Sequence, residues 1–213
     1  DSTVKQQQGI SFLLIDMKSP GIEIRPIQTL SGEAEFNEAR FTDVRVPVSE
    51  RAGGENGGWL VAKRLMQYAR KSNTTTGLLR RTFRLAKELA AQEELEADFA
   101  RAFAEAEIRL EALERAEEAA NTQQPGALNS SMMKLLATEL HQKLSALYLD
   151  LAGPGGLEAL GPEELLTETA PAPPLAHAGA KYFATRAASI YSGTNEVQRN
   201  ILAASVLGLG KAV

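Results

Sequence analysis

Residues 190–209 read IYSGTNEVQRNILAASVLGL. The stretch opens on a tight glycine-containing turn and runs straight into an amphipathic helix. Glu196 follows Gly193 by three residues, the capping-box spacing with glycine in place of the usual hydroxyl residue. Val197, Ile201, Ala204 and Leu207 or Gly208 then recur at helical spacing. A helix start offers free backbone N–H groups and the positive end of a dipole, which suit a phosphate or a carbonyl oxygen. An ordinary capped C-terminal helix has the same spacing, so pattern alone leaves both readings open.

Upstream of this stretch the chain is helical for most of its length. A helix is expected over about 175–189. Before it, residues 161–176 carry Pro162, Pro171, Pro173 and Pro174 and read as a loop with room for a short helix. Residues 130–151 predict a long helix whose buried side is Met133, Leu136, Leu140, Leu144, Leu147 and Leu151. Gly153-Pro154-Gly155-Gly156 ends it, and Asn121–Asn129, with Pro125 and Gly126, breaks the chain before it. Residues 95–120 form another helix, with a stripe of Phe99, Phe103, Ala106, Leu110 and Leu113 and a solvated Glu/Arg face. From Trp59 to Leu89 the period is again helical, and one long helix is expected, irregular near Asn73–Thr76, where three threonines are weak helix formers.

Residues 9–48 read differently. GISFLLIDM (9–17) is an apolar run of strand formers, Ser19-Pro20-Gly21 is a turn, and Ile22, Ile24 and Ile27 alternate with polar residues. AEFNEARFTDVRV (34–46) alternates again, with Phe36, Phe41, Val44 and Val46 as candidate core residues. Gly53–Gly58 is a linker in which Asn56 could cap the following helix. Three strands make a poor domain by themselves, and the chain opens on Asp1 in mid-pattern, so it reads as a fragment. The expected fold class is mainly α, an antiparallel four-helix bundle preceded by a few antiparallel strands from a truncated β-domain.

The 213 residues are 44% apolar with a net charge of −4 and no basic block, which points to neither nucleic acid nor an anionic membrane as partner. The absence of cysteine excludes a disulfide framework and a thiolate nucleophile. His141 and His177 stand far apart and predict helix-face or surface residues, with no metal site. No membrane-length run or signal peptide is visible, so a cytoplasmic protein is expected.

Three blocks resemble the acyl-CoA dehydrogenase family, in its order: GISFLLIDM, GIEIRPI and EFNEARFTDVRVP as the end of the middle β-domain; ENGGW leading into the first bundle helix; and IYSGTNEVQRNILA as the C-terminal signature. The resemblance spans nearly the whole chain and is weakest over 72–130. It implies residues 1–52 as the end of the middle β-domain and 53–213 as the C-terminal helical bundle, which serves FAD binding and oligomerisation. It implies FAD as cofactor, an acyl-CoA substrate of lipid metabolism, and an electron-transfer flavoprotein-type acceptor. It also implies a homo- or hetero-oligomer, dimer or tetramer, with the third and last bundle helices at subunit contacts. The implied chemistry is removal of the proton α to the thioester carbonyl while the β-hydrogen leaves as hydride, which needs hydrogen bonds to the carbonyl and a carboxylate base.

Carried over residue by residue, the resemblance assigns Gly193 and Thr194 to the flavin turn and Glu196 to a cofactor contact. Gly153, Gly155 and Gly156 resemble, with Pro154 inserted, the glycine turn that in relatives approaches the FAD of a neighbouring subunit; a plain helix C-cap is the alternative. Arg70 matches an arginine lying along the CoA arm, or is a surface arginine, and Tyr191 and Gly193 fall on the substrate side of the last turn. Arg80-Arg81-Thr82-Phe83 looks like the family's Arg-x-x-Phe flavin contact but comes too early in its helix. The departure lies at the base. The glutamate of many members falls at Ser192 here, and that of another branch at Ala69. Alanine accepts no proton, and a serine without a partner is too weak a base. Three readings follow: a subunit of a heteromer whose partner supplies the base, a homomer using another carboxylate such as Glu55, or a non-enzymatic bundle retained for assembly or acyl-CoA binding. The fragment alone is expected to be inactive.

Overall fold

The computed structural model describes residues 1–72, 75–91, 94–122, 127–157 and 178–210; the side chains of 67–72, 120–121 and 127–129 are outside the description. Among these residues the architecture is mainly α, with a few antiparallel strands ahead of a helical bundle. The chain divides into two compact units, residues 1–28 with 34–69 and residues 29–33 with 70–213.

In the first unit, β1 (Phe12–Leu13) pairs antiparallel with β4 (Arg51–Ala52), and β2 (Ile22–Ile27) with β3 (Phe36–Phe41) in the register Ile22↔Phe41 to Ile27↔Phe36. The run 9–17, expected as a strand, is a ladder only at the two residues that face β4. Phe36 and Phe41, expected in a core, are 44% and 54% exposed, because a two-stranded ribbon buries neither of its faces. Helix α1 (Gly58–Ser72) follows, with its residues up to 69 counted in this unit.

The helical run expected as one element is two: α1 ends at Ser72 and α2 (Thr76–Ala90) starts afresh. Thr75 is extended, with φ −95° and ψ 148°, and its hydroxyl accepts from the Leu78 N–H at 3.3 Å. A threonine here does more as an N-cap than as an interior helical residue. Helix α3 (Ala97–Thr122) runs antiparallel to α2: Thr76 reaches Glu117, Arg80 pairs with Glu114 and Lys87 with Glu107.

Helix α4 (Ala127–Ala152) is the spine, packing against α2, α3, α5 (Ala178–Thr185) and α6 (Asn195–Ser205). The core joins Leu79, Phe83 and Ala86 of α2, Phe103, Leu110 and Leu113 of α3, and Leu140, Leu144, Leu147 and Tyr148 of α4. Phe83 stacks on Phe103 with ring centroids 4.7 Å apart. Of the stripe expected to be buried on α4, Leu136 is instead 47% exposed. The second buried stripe of α4 is polar: Ser131, Lys134, Thr138, His141 and Ser145, spaced 3, 4, 3 and 4 residues apart, are all under 8% exposed. Lys134 and Thr138 meet α6, Ser145 meets α5, and His141 is a buried residue rather than a surface one. No helix among the described residues is long and apolar enough to cross a membrane. The proline-rich segment before α5 and His177 lie outside the described residues.

Candidate functional site

A 3₁₀ turn over Arg186–Ser189 follows α5 and delivers the chain to Ile190 and Tyr191, whose N–H groups both bond to Ala187 O. Two left-handed residues come next, Ser192 at φ 58° and Gly193 at φ 89°. Glycine reaches that region freely, whereas serine pays for it. Thr194 returns to φ −59°, ψ 158°, and starts α6; its hydroxyl accepts from the Val197 N–H at 3.3 Å. The cap of α6 is thus Thr194, not Gly193 as the Glu196 spacing suggested, and Glu196 stands in the first turn instead. The reason is chemical: threonine carries the acceptor oxygen a cap needs, and glycine supplies only the turn. The Glu196 carboxyl is held below its ordinary value by its own backbone N–H, then by the Thr194 hydroxyl, so it is ionised and a weak base.

Beneath the turn lies a polar layer. Lys134, 4% exposed, donates from Nζ to Asn195 Oδ1 at 2.8 Å, and the Thr138 hydroxyl lies 3.2 Å from the same oxygen. Burial lowers the Lys134 ammonium from its ordinary value, with Glu196 opposing. Gln198, fully buried, donates from Nε2 to Gly193 O at 3.2 Å and to Ser192 O at 3.4 Å. Further along α4, Gln142 Nε2 donates to Thr185 O and Ser189 Oγ, both at 3.1 Å. The Arg186 guanidinium donates to Gln142 O and Ser145 Oγ and stacks 4.2 Å over Tyr182. Ser131 Oγ, His141 Nε2 and Gln198 Oε1 are buried with no hydrogen-bond partner among the described residues. Burial, then Lys181 and Arg186, pushes the His141 imidazole down to about 4.

The structure brings Tyr191, Ser192, Gly193, Thr194 and Glu196 together in one turn. The second glycine turn is elsewhere. Gly153, at φ 58°, begins a 3₁₀ segment at the C-terminal end of α4; Gly156 is buried, and Gly155 has open space where a Cβ would stand. Asn195 packs at Thr138, fifteen residues before Gly153 on the same helix, so the two turns are about 22 Å apart along it. They do not converge on one pocket within the chain. Ala69 and Arg70 lie on α1, but their side chains are outside the described residues. Glu55 pairs with Arg51 at 3.3 Å and is 75% exposed. In the Arg80–Phe83 stretch, Thr82 and Phe83 are buried and Arg80 is engaged with Glu114. Among the described residues no group of three His, Asp or Glu side chains could hold a metal ion.

Sequence reading missed Gln198, Asn195, Lys134, Thr138 and Gln142. The signal was present: the polar residues of α4 recur at helical spacing, and Asn195 and Gln198 sit three apart on α6. A polar stripe ordinarily means a solvated face, so the signal points the wrong way until a second polar helix face is seen to match it.

A family model described as acyl-CoA dehydrogenase, C-terminal domain, matches residues 56–207. The acyl-CoA dehydrogenase IpdE1 of Mycolicibacterium smegmatis is 33% identical over 226 residues, covering 98% of this chain and 51% of that protein. Among solved structures, the Tcur3481-Tcur3483 steroid ACAD superposes with a TM-score of 0.78 at 22% identity, over 99% of this chain and 55% of that one. The ChsE4-ChsE5 complex from Mycobacterium tuberculosis does so with a TM-score of 0.76 at 24% identity, over 97% and 55%. The chain spans about half the length of the curated relatives it matches.

Proposed function

Because the chain belongs to the acyl-CoA dehydrogenase family and carries its C-terminal domain, we propose that it is the C-terminal part of a flavin-dependent enzyme that α,β-dehydrogenates an acyl-CoA thioester, with the base supplied from outside its two family positions. The observation that carries the reading is the turn itself: Ser192 and Gly193 left-handed, Thr194 capping, and α6 starting behind them. The residues fit FAD. Gly193 leaves no side chain on the turn, and the positive dipole end of an 11-residue helix stands behind it, which favours an electronegative oxygen. FAD, when bound, supplies the acceptor for the β-hydrogen as hydride.

The chain's own part is to bind and orient. Gly193 and Thr194 meet the cofactor, Glu196 adds a fixed negative charge beside them, and Tyr191 and Arg70 serve the thioester side. Gly153, Gly155 and Gly156 serve a second cofactor across a subunit interface, which is supported by their separation from Thr194 along α4. Ser192 and Ala69 provide no carboxylate, so the 213 residues alone are expected to show no turnover. The base then comes from another subunit, and the assembly is a hetero-oligomeric dimer or tetramer acting in the cytoplasm with an electron-transfer flavoprotein-type acceptor. The two-component names of two matched folds, the Tcur3481-Tcur3483 steroid ACAD and the ChsE4-ChsE5 complex, support this arrangement. The second reading, a silent assembly or acyl-CoA-binding subunit, rests on the same missing carboxylate.

The test is a visible spectrum of the purified protein before and after anaerobic addition of acyl-CoA thioesters, straight-chain and steroid-bearing. The expected result is a yellow protein that bleaches only once a partner subunit is added. Bleaching without a partner would place the base within the same polypeptide. A colourless protein would sink the dehydrogenase reading and leave an interaction module.

A further inference from the structure

We propose that Gln198 is the positioning residue of the flavin turn: it holds the Ser192–Gly193 backbone from beneath and so aims the N–H groups of Gly193 and Thr194 outward as a donor pair. The proposal rests on the FAD reading above and adds a residue to it.

The geometry starts with the amide. Nε2 lies 3.2 Å from Gly193 O and 3.4 Å from Ser192 O, and the whole side chain is buried. The opposite amide orientation would set Oε1 against two carbonyl oxygens, so the two acceptors fix which way it points. Oε1 is left buried without a partner among the described residues. A leucine or methionine would fill the same volume without that orphan, so what the position needs from glutamine is its pair of N–H donors.

The consequence follows from peptide geometry. All peptide bonds in the described chain are trans. In a planar trans peptide the C=O of one residue and the N–H of the next point in opposite directions. With the carbonyls of Ser192 and Gly193 drawn inward to Gln198, the N–H groups of Gly193 and Thr194 point away from the bundle. Neither makes a hydrogen bond among the described residues. Two adjacent, pre-aimed backbone donors stabilise an oxygen that carries or develops negative charge.

Ser192 makes the support necessary. At φ 58° it occupies a region that L-residues adopt only when their surroundings over-determine it. Gly193 is held equally closely: a Cβ there would stand 2.5 Å from Gln198 Nε2. The turn and the amide therefore form one unit, and loosening either releases the other.

The experiment compares the wild-type holoprotein with Gln198→Met and Gln198→Glu. FAD dissociation constants come from flavin fluorescence, with the flavin visible spectrum, far-UV circular dichroism and Tm recorded in parallel. Gln198→Met is expected to keep its helix content and to weaken FAD binding about tenfold or more, with a shifted flavin spectrum. Gln198→Glu is expected to bind FAD poorly at pH about 8, where an ionised carboxylate cannot donate, and to recover at pH about 5.5, where burial keeps it protonated. Recovery by Gln198→Glu also covers the case in which Gln198→Met does not fold. A wild-type dissociation constant and spectrum in Gln198→Met, whatever its Tm, would overturn the positioning role, as would a Gln198→Glu variant with no pH dependence of binding. A wild-type protein that binds no FAD would overturn the cofactor reading and this role with it.

Discussion

His141 is the residue whose charge state the fold decides most sharply. It is 7% exposed, its Nε2 has no hydrogen-bond partner among the described residues, and Lys181 of α5 and Arg186 of the following turn face it as cations. Burial and these two charges push its imidazole down to about 4, against about 6.5 in an unfolded chain. Between those values the unfolded state binds a proton that the folded state refuses, so stability rises with pH across the window and is fully present above it. The lowering corresponds to about 3 kcal/mol lost on going from pH 7 to below pH 4. Urea unfolding at a series of pH values should show this slope, and His141→Leu should flatten it. An unchanged slope in the variant would assign the acid sensitivity to other groups. The sequence could not announce this behaviour. It shows a histidine on a helix face, but not that α5 and the turn after it return to cover that face with two cations.

Elements were legible where their periodicity was apolar and hidden where it was polar. The stripes of α3 and α4 predict Phe103, Leu110, Leu140, Leu144 and Leu147 as core, and all are buried, because apolar side chains at 3.6-residue spacing have one place to go. The C-terminal helix was legible as an element but not in its orientation. Val197, on its apolar spacing, is 44% exposed, while Asn195 is buried against Lys134 and Thr138 of α4 and Gln198 is buried beneath the turn. Its start was misplaced by one residue, since glycine-plus-glutamate spacing imitates a capping box and only the backbone shows that Thr194 holds the cap. That cap is separable from the turn it follows. Thr194→Ala should cost about 1 kcal/mol through the lost bond to the Val197 N–H. Thr194→Ser should restore it, because the hydroxyl and not the methyl accepts the bond. Denaturant midpoints of the two variants check this, and equal losses in both would mean that the methyl packs rather than the hydroxyl caps.

At the scale of the whole molecule the proposed cofactor contacts fall at two separate places. One glycine turn starts α6 and the other ends α4, about 22 Å apart along the same helix. A chain that offers two such turns to two different places is suited to an assembly in which each cofactor is completed by a neighbour. The proposal of a base from a partner subunit fits the same logic, and a carboxylate can be introduced to test it. Ser192 already holds a left-handed backbone at the position the proposed reading gives to the base, and glutamate there pays the same conformational cost as serine. Ser192→Glu is therefore expected to fold and to hold FAD as the wild type does. If the base normally arrives from a partner subunit, the flavin of this variant should bleach with acyl-CoA in the partner's absence. The gain over the partner-free wild type should be of the order a positioned general base contributes, about 10²–10⁴-fold. Single-turnover absorbance of the two proteins, each with and without the partner, measures it. A flavin-loaded Ser192→Glu that stays yellow would mean that position 192 does not face the α-carbon of the substrate in this assembly. The subunit would then be a scaffold whose turn binds cofactor for chemistry carried out elsewhere.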